Sequence, residues 1–253
     1  MVLSENKTIM YKERKYAIVT GGTKGIGKQI CIDLLLKGYF VITNYASDDQ
    51  SAEAARDLFT NYSTDFEVIK IDQSKASDLE VFVQFIRNKT REIHCIICNA
   101  GDTLRKGLDT ITNHEWELMF MLNVHSHFYL IRDLNSIIQK KSRIIFIGSV
   151  FGEIPHTRSL AYGVTKSAVH ALAKNLVKEF SEREVTVNVV APGLIETIKH
   201  RNLSLEIREN IYNKTAAKRF GTTEEVSKVC MMIIDNDFIN GATILVDGGY
   251  NYK

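Results

Sequence analysis

The sequence predicts an α/β fold: one domain built on a doubly wound parallel sheet of about seven strands. Three observations carry this. Seven short apolar runs alternate with segments of helical length; that order calls for parallel strands joined by crossover helices. The runs are apolar on both faces, as strands covered on both sides must be. Finally, 253 residues with 45% hydrophobic content suit a single full-sized core.

The elements follow in order. Residues 1–15 form a polar, basic extension, and the domain runs from 16 to 253. The strand candidates are 16–20 (YAIVT), 39–45 (YFVITNY), 66–71 (FEVIKI), 93–98 (IHCIIC), 143–148 (RIIFIG), 185–191 (VTVNVVA) and 242–246 (ATILV). Segment 25–37 has Ile26, Ile30 and Leu34 on one face, with Gly38 placed to end the helix. The stretch near 194–220 is long, polar and helix-prone, and it follows a strand end, where a substrate lid is expected. Right-handed crossovers put the ligand site at the carboxyl ends of the strands.

Composition narrows the function classes. A net charge of +2 with 25% charged residues gives no field that selects nucleic acid or a membrane surface. No stretch reaches about 18 apolar residues and residues 1–15 hold no apolar run, so neither a membrane span nor a secretory signal is expected. The four cysteines are too few and too scattered for a disulfide framework, which fits a reducing cytoplasm.

The first strand candidate ends in Thr20-Gly21-Gly22-Thr23-Lys24-Gly25-Ile26-Gly27, directly before a helix. Glycines there let backbone N–H groups approach a diphosphate at the positive end of the helix. Gly22 to Lys28 also reads G-x-x-x-x-G-K, as in a nucleoside-triphosphate loop, but Gln29 follows where such a loop has a Ser or Thr for magnesium. Tight strand-to-helix turns use glycine for structural reasons too.

Strand 143–148 is followed by Ser149, and 13 residues later Tyr162-Gly163-Val164-Thr165-Lys166 opens a helix. Four-residue spacing puts Tyr162 and Lys166 on one face. The core stripe of that helix is expected to be Val164, Ala168, Leu172, Leu176 and Phe180. A second Tyr-x-x-x-Lys, Tyr11 and Lys15, precedes the first strand; only the later pair follows a strand end with a serine, where an α/β sheet places its site. Reduction of a ketone by hydride makes an alkoxide that needs a proton, and an ordinary tyrosine is a reluctant acid–base at neutral pH. Lys166 is expected to lower the Tyr162 pKa and Ser149 to bond the developing oxyanion.

With these landmarks in place, the chain resembles the short-chain dehydrogenase/reductases from about residue 15 onward. The matching motifs are TGGTKGIG (20–27), CNAG (98–101), Asn123, Ser149, YGVTK (162–166) and PGLIET (192–197). The resemblance implies a Rossmann-type fold and a nicotinamide dinucleotide. It makes Tyr162 the acid–base, has Ser149 orient the substrate, has Lys166 also hold the nicotinamide ribose, and gives Asn123 a water in a proton relay. It assigns Gly21, Thr23, Lys24, Gly25, Ile26 and Gly27 to the cofactor, with Asn44, Tyr45 and Ser47 at the ribose. Asp72 meets the adenine; Asn99, Ala100 and Gly101 line the adenosine side. Pro192, Gly193, Ile195 and Thr197 lie at the carboxamide. Cys98 stands where Asn is usual, beside an intact Asn-Ala-Gly. Lys24 in the loop, with no carboxylate at Asn44, favours NADP(H) over NAD(H).

Other residues look functional without joining the site. Cys95 and Cys98 form a C-x-x-C, but three residues apart on a strand they face opposite sides, so no metal is expected. His125 and His127 point apart on a helix, and Trp116 with Phe120 reads as helix packing. Glu153 and His156, between Ser149 and Tyr162, are open to either substrate contact or a solvated loop.

Within the family, VVAPGLIET, KRFGTTEEV and GATILVDGGY are most similar to 3-oxoacyl-[acyl-carrier-protein] reductases. That implies a 3-oxoacyl chain on an acyl carrier protein as substrate, in a fatty-acid or polyketide-type pathway, and a homotetramer. Lys178, Lys199, Arg201, Lys218 and Arg219 offer charge for an acidic carrier. Tyr129 stands where an arginine is usual, with Arg132 nearby. The alternatives are a sugar, steroid or small ketone as substrate, and a dinucleotide-binding regulator without turnover.

Overall fold

The computed structural model describes residues 14–156, 159–198 and 203–250. The N-terminal extension to residue 13, with Tyr11, and the expected carrier-facing Lys199 and Arg201 lie outside the described residues. The elements are β1 (Lys15–Val19), α1 (Gly25–Leu36), β2 (Tyr39–Tyr45), α2 (Asp49–Thr60), β3 (Phe66–Lys70), α3 (Ala76–Lys89) and β4 (Ile93–Cys98). There follow α4 (Asn113–Phe120), α5 (Ser126–Leu134), β5 (Ile138–Ile147), α6 (Leu160–Glu179), β6 (Thr186–Pro192), α7 (Leu205–Asn213), α8 (Thr223–Asp235) and β7 (Thr243–Val246).

The strands form one seven-stranded sheet in the order β3-β2-β1-β4-β5-β6-β7, and every pairing is parallel. The chain reverses its direction across the sheet between β1 and β4. At such a switch point the two flanking loops diverge and leave a crevice at the carboxyl ends of the strands.

Alternation along each strand divides the core into two layers. Ile18, Ile96 and Cys98 pack with Phe82, Ile86, Leu130 and Val169 on the α3/α5/α6 side. Ala17, Val19, Cys95 and Ile97 pack with Ile30, Leu34 and Ile233 on the α1/α8 side. Cys95 and Cys98 therefore face opposite layers of the sheet. Cys31, Cys95, Cys98 and Cys230 are all buried.

Local chemistry sets the helix ends. The amide of Gly38 bonds the Leu35 carbonyl and closes α1, as its glycine signal predicts. Thr112 with Glu115 and Thr222 with Glu225 form reciprocal capping boxes on α4 and α8. Between α4 and α5 the helix widens into a π-turn over Met121–His125. Trp116 and Phe120 stack within α4, ring centroids 5.2 Å apart.

Two expectations are corrected. β5 begins five residues earlier than its apolar run, because polar Ser142 is drawn into the sheet by bonding the Ile93 and Gln139 carbonyls. The inner face of α6 is Ala161, Thr165, Val169, Ala173, Leu176 and Phe180, not the stripe that begins at Val164. Val164 is 39% exposed, and Ala168 and Leu172 are only half-buried. The helix is apolar on both sides of the Tyr162–Lys166 line, so periodicity alone admits either face.

Candidate active site

The glycine loop leaves β1 and is stitched to the end of β4. The Thr20 hydroxyl accepts from the amides of Asn99 and Ala100 at 2.9 and 2.8 Å. The Asn99 amide donates to the carbonyls of Thr20 and Gly21 at 2.9 and 3.1 Å. Gly21 and Gly25 hold φ of +66° and +53°, conformations that a β-carbon would strain. Gly27 permits the closest approach: a Cβ there would stand 2.4 Å from Asn99 Nδ2 and 2.5 Å from the Gly21 oxygen.

In front of this loop lies a cleft of about 530 Å³. Gly21, Thr23, Lys24, Gly25 and Ile26 line one wall, with Asn44, Tyr45, Ser47 and Asp72 beyond them. Asn99, Ala100, Gly101 and Thr197 line the other. Gly27 itself does not reach the wall; it sits behind, against Asn99. The arrangement fits a dinucleotide on two structural grounds. At Gly25 a Cβ would point into the cleft with only Thr197 Cγ2 near, at 3.6 Å, so backbone N–H groups and the α1 N-terminus face open space. At the far end Gln73, buried beside Asp72, has both amide atoms without a hydrogen-bond partner among the described residues.

Two side chains here do work that the sequence did not disclose. Asn44 accepts from the Gly21 amide at 3.2 Å and donates to the Ile71 carbonyl at 3.0 Å; its amide is a brace between loop and sheet. Lys24 is paired with Asp48 at 2.8 Å. Asp48 also caps α2 through the Ser51 amide, and these bonds, led by Lys24, hold its carboxyl down at about 2.

A smaller adjoining cavity of about 190 Å³ is lined by Ser149, Tyr162, Lys166, Pro192, Gly193 and Ile195, and it shares Ile26, Asn99, Gly101 and Thr197 with the first. The end of β5 and the head of α6 thus bring Ser149, Tyr162 and Lys166, three of the four expected catalytic side chains, to one place, and the end of β6 adds Pro192 and Gly193 to the wall. Lys166 lies beneath Tyr162, its Nζ 5.7 Å from the ring centroid, and donates to the Ile147 carbonyl at 2.7 Å. Burial pulls the Lys166 ammonium down to about 8.

The expected direction for Tyr162 is corrected. Burial raises its pKa, the hydrogen bond with Ser149 opposes this, and the Asp102 charge adds to the rise.

Asn123 sits in the π-turn, fully buried and off the cavity wall. Its carboxamide oxygen accepts from the Asp102 amide at 3.0 Å, and its nitrogen donates to the Asp102 carbonyl and the Thr165 hydroxyl. It braces the CNAG loop against α6. His125 and His127 diverge: His125 stacks near Phe120 and Tyr129, whereas His127 is buried in the core layer against Phe146 and burial pushes its pKa down to about 3.

The expected lid contains α7. Its base is clasped by a bridge between Ile195 and Gly221, and Arg208 of α7 makes two bonds to the Glu196 carboxylate at 2.9 and 3.0 Å. The loop residues left open by the sequence also have partners: Glu153 meets His170 Nδ1 at 2.7 Å, and His156 packs on Phe151 at 4.2 Å. His170, unmarked by any motif, was missed by sequence reasoning, as were Asp48 and Gln73 at the cleft; its place one turn beyond Lys166 is the one signal that points to it. Among the cations expected to face a carrier, Arg219 is bonded to Glu225 and Arg132 to Asp133, stacking over Tyr129. Among the described residues, no cluster of three His, Cys, Asp or Glu could hold a metal, and no helix is long and apolar enough to cross a membrane.

Comparison with known proteins agrees with this fold. The sequence model of the family described as "Enoyl-(Acyl carrier protein) reductase" matches residues 21–251. The chain is 33% identical over 241 residues to the 3-oxoacyl-[acyl-carrier-protein] reductase FabG of Buchnera aphidicola subsp. Schizaphis graminum, covering 94% of this chain and 97% of that one. It is 33% identical over 239 residues to FabG of Haemophilus influenzae, covering 93% and 97%. Among solved structures, a short-chain dehydrogenase/reductase from Serratia marcescens superposes with a TM-score of 0.88 at 28% identity, over 93% of this chain and 97% of that one. The RhlG/NADP active-site complex of Pseudomonas aeruginosa superposes with a TM-score of 0.87 at 27% identity, over 93% and 96%. With the family model matched over residues 21–251 and relatives 33% identical over nearly the whole chain, the chain belongs to the short-chain dehydrogenase/reductase family and is an NAD(P)-dependent oxidoreductase.

Proposed function

We propose that the protein uses NADPH to reduce a 3-oxoacyl thioester carried on acyl carrier protein to the 3-hydroxyacyl form. The observation that carries the reading is the joining of the two cavities: Ser149, Tyr162 and Lys166 converge where the dinucleotide cleft opens into a pocket walled by the segment after β6, at Ile195 and Thr197. The FabG relatives supply the substrate class.

When bound, NADPH supplies the hydride. The glycine loop holds the diphosphate, Asp72 and Gln73 the adenine, Asn99 to Gly101 the adenosine side, and Thr197 lies with the carboxamide group of residues. Lys24 is the cation for a 2′-phosphate, which makes NADPH the preferred donor over NADH. Pro192, Gly193 and Ile195 flank the carboxamide. Ser149 donates to the substrate oxygen as it gains charge, and Tyr162 delivers its proton. A phenol kept protonated by burial suits this donation. Lys166 binds the ribose and returns the proton from its own ammonium. Asn123 holds the loop that shapes the relay.

The segment 194–220 acts as the lid, with Arg208–Glu196 as its latch. The exposed apolar stripe Leu160 and Val164 on α6 supports association into a homotetramer, and the reading places the enzyme in the cytoplasm. The test is initial-rate turnover with NADPH of acetoacetyl-carrier, crotonyl-carrier, and a panel of sugars, steroids and cyclic ketones. Fastest turnover of acetoacetyl-carrier is expected. Faster turnover of crotonyl-carrier would favour enoyl reduction, the activity in the family's description, and faster turnover of a small ketone would move the chain to that substrate class.

A further inference from the structure

Tyr162, Lys166 and His170 are spaced by four along α6 and share one face, yet His170 lies beyond both cavities. Its side chain is 4% exposed. Nδ1 stands 2.7 Å from the Glu153 carboxylate, and the backbone N–H of Ser149 points at Nε2 across a long 3.5 Å bond. A carboxylate only accepts and a backbone N–H only donates, so both partners are satisfied together by one species alone: neutral imidazole with its proton on Nδ1. The surroundings favour that species, since burial holds the imidazole pKa below its ordinary range against the pull of Glu153, and Lys166 and Lys174 add to the lowering.

The turn that carries Ser149 is shaped around this ring. A Cβ at Gly148 would lie 2.3 Å from His170 Nε2, and one at Gly152 would lie 2.6 Å from His170 Cε1. Ser167, on the same helix, donates to the Gly152 carbonyl at 2.7 Å. The Ser149 hydroxyl accepts from the Phe151 amide at 3.2 Å, so its direction depends on the shape of residues 148–152. We propose that His170, seated between Glu153 and the Ser149 amide, is a positioning residue that fixes the 148–152 turn and so aims the Ser149 hydroxyl at the substrate oxygen. This rests on the role given to Ser149 above.

Glu153 anchors the ring in its tautomer from the solvent side, while α6 ties the result to Tyr162 and Lys166. The serine and the tyrosine are thereby referenced to one helix, although they come from different elements. A purely structural histidine would contribute to folding alone. A positioning histidine contributes to the chemical step with NADPH binding untouched, since the glycine loop lies on the other side of Asn99.

The test compares His170→Leu, Glu153→Ala, Glu153→Gln and the Ala/Leu double variant with Ser149→Ala, by kcat and KM on the carbonyl substrate, NADPH Kd by fluorescence, and ¹⁵N shifts of the His170 ring. His170→Leu is expected to lower kcat about tenfold with NADPH Kd within about twofold. Glu153→Ala is expected to lower it about threefold and to add nothing in the double variant, and Glu153→Gln, which keeps an acceptor for Nδ1–H, to recover most of that loss. The ring nitrogens are expected to show Nδ1 protonated and Nε2 bare at neutral pH. A normal kcat in His170→Leu, equal losses in kcat and NADPH affinity, additive effects in the double variant, or a proton on Nε2 would each overturn the proposal. If Ser149→Ala turns over normally, the role of Ser149 falls and the proposal with it; if Ser149→Ala is inactive and His170→Leu is not impaired, the proposal alone falls.

Discussion

The two ends of the cleft are built in different ways. The dinucleotide end is made of short-reach bonds between buried side chains and backbone: Thr20 to Asn99 and Ala100, Asn99 back to Thr20 and Gly21, and Asn44 between Gly21 and Ile71. The Ser149–Tyr162 end is a turn, a helix face and the α7 segment proposed as a lid, held by the pairs Glu153–His170 and Glu196–Arg208. The first arrangement leaves little room for change, because each bond fixes the backbone of the loop that lines the cleft. The second fixes a few side chains and leaves the surrounding shape free to vary. A family can thus keep one donor site and present many substrates to it.

Tyr162→Phe sharpens that contrast most. It removes the proton donor and leaves every bond of the glycine loop in place, so turnover is expected to fall by about 10²–10⁴-fold while NADPH Kd, read by fluorescence titration, stays within a factor of about two. A large change in Kd would mean that the two ends are not separable.

Gly27→Ala attacks the other end. Its Cβ would collide with Asn99 Nδ2 and the Gly21 oxygen, so unfolding stability is expected to drop by roughly 1–3 kcal/mol and NADPH affinity to weaken. Gly107→Ala, away from both cavities, is the control, because an added Cβ there meets nothing within 4 Å. Thermal melts of the two variants should differ by several degrees, and equal melting points would break the comparison.

Asp48→Asn is the smallest change. Asparagine keeps the cap on α2 and releases Lys24 for a 2′-phosphate. NADPH Kd is expected to fall about threefold, with NADH unaffected, and the gain to shrink in high salt. Because the Asp48 carboxyl is held near pH 2, it stays ionised well below neutrality; the unaltered enzyme's cofactor preference is therefore expected to be flat from about pH 5 to 8 as far as this pair is concerned.

What could be read from the sequence follows the same divide. The strands on both sides of the switch point were legible because each is a compact apolar run, and the loop motif because backbone geometry demands those glycines. Ser149, Tyr162 and Lys166 were legible from spacing and from their place after strands. The face of α6 was not: Leu176 and Phe180 belong to the buried side as expected, but Val164 does not, since one helix is apolar on two sides. Nor was the raised pKa of Tyr162, which depends on how deeply the cavity encloses it. Asp48 and His170 were not legible because each acts through a partner in another element, and neither periodicity nor a motif encodes such pairs; Gln73, without a hydrogen-bond partner among the described residues, is marked only by its place at the cleft.

The four thiols have a practical consequence. Burial pushes Cys31 and Cys95 up to about 12 and raises Cys98 and Cys230 as well, so in the folded chain almost none is present as the reactive thiolate. They lie in both layers of the core, with Cys98 on the α6 side and Cys31, Cys95 and Cys230 on the α1/α8 side. Each layer therefore carries its own internal clock: the rate at which a thiol reagent modifies a given cysteine reports how often that side of the sheet opens. A donor-bound enzyme that protects Cys31, next to the glycine loop, more than Cys98 would show the two layers breathing independently.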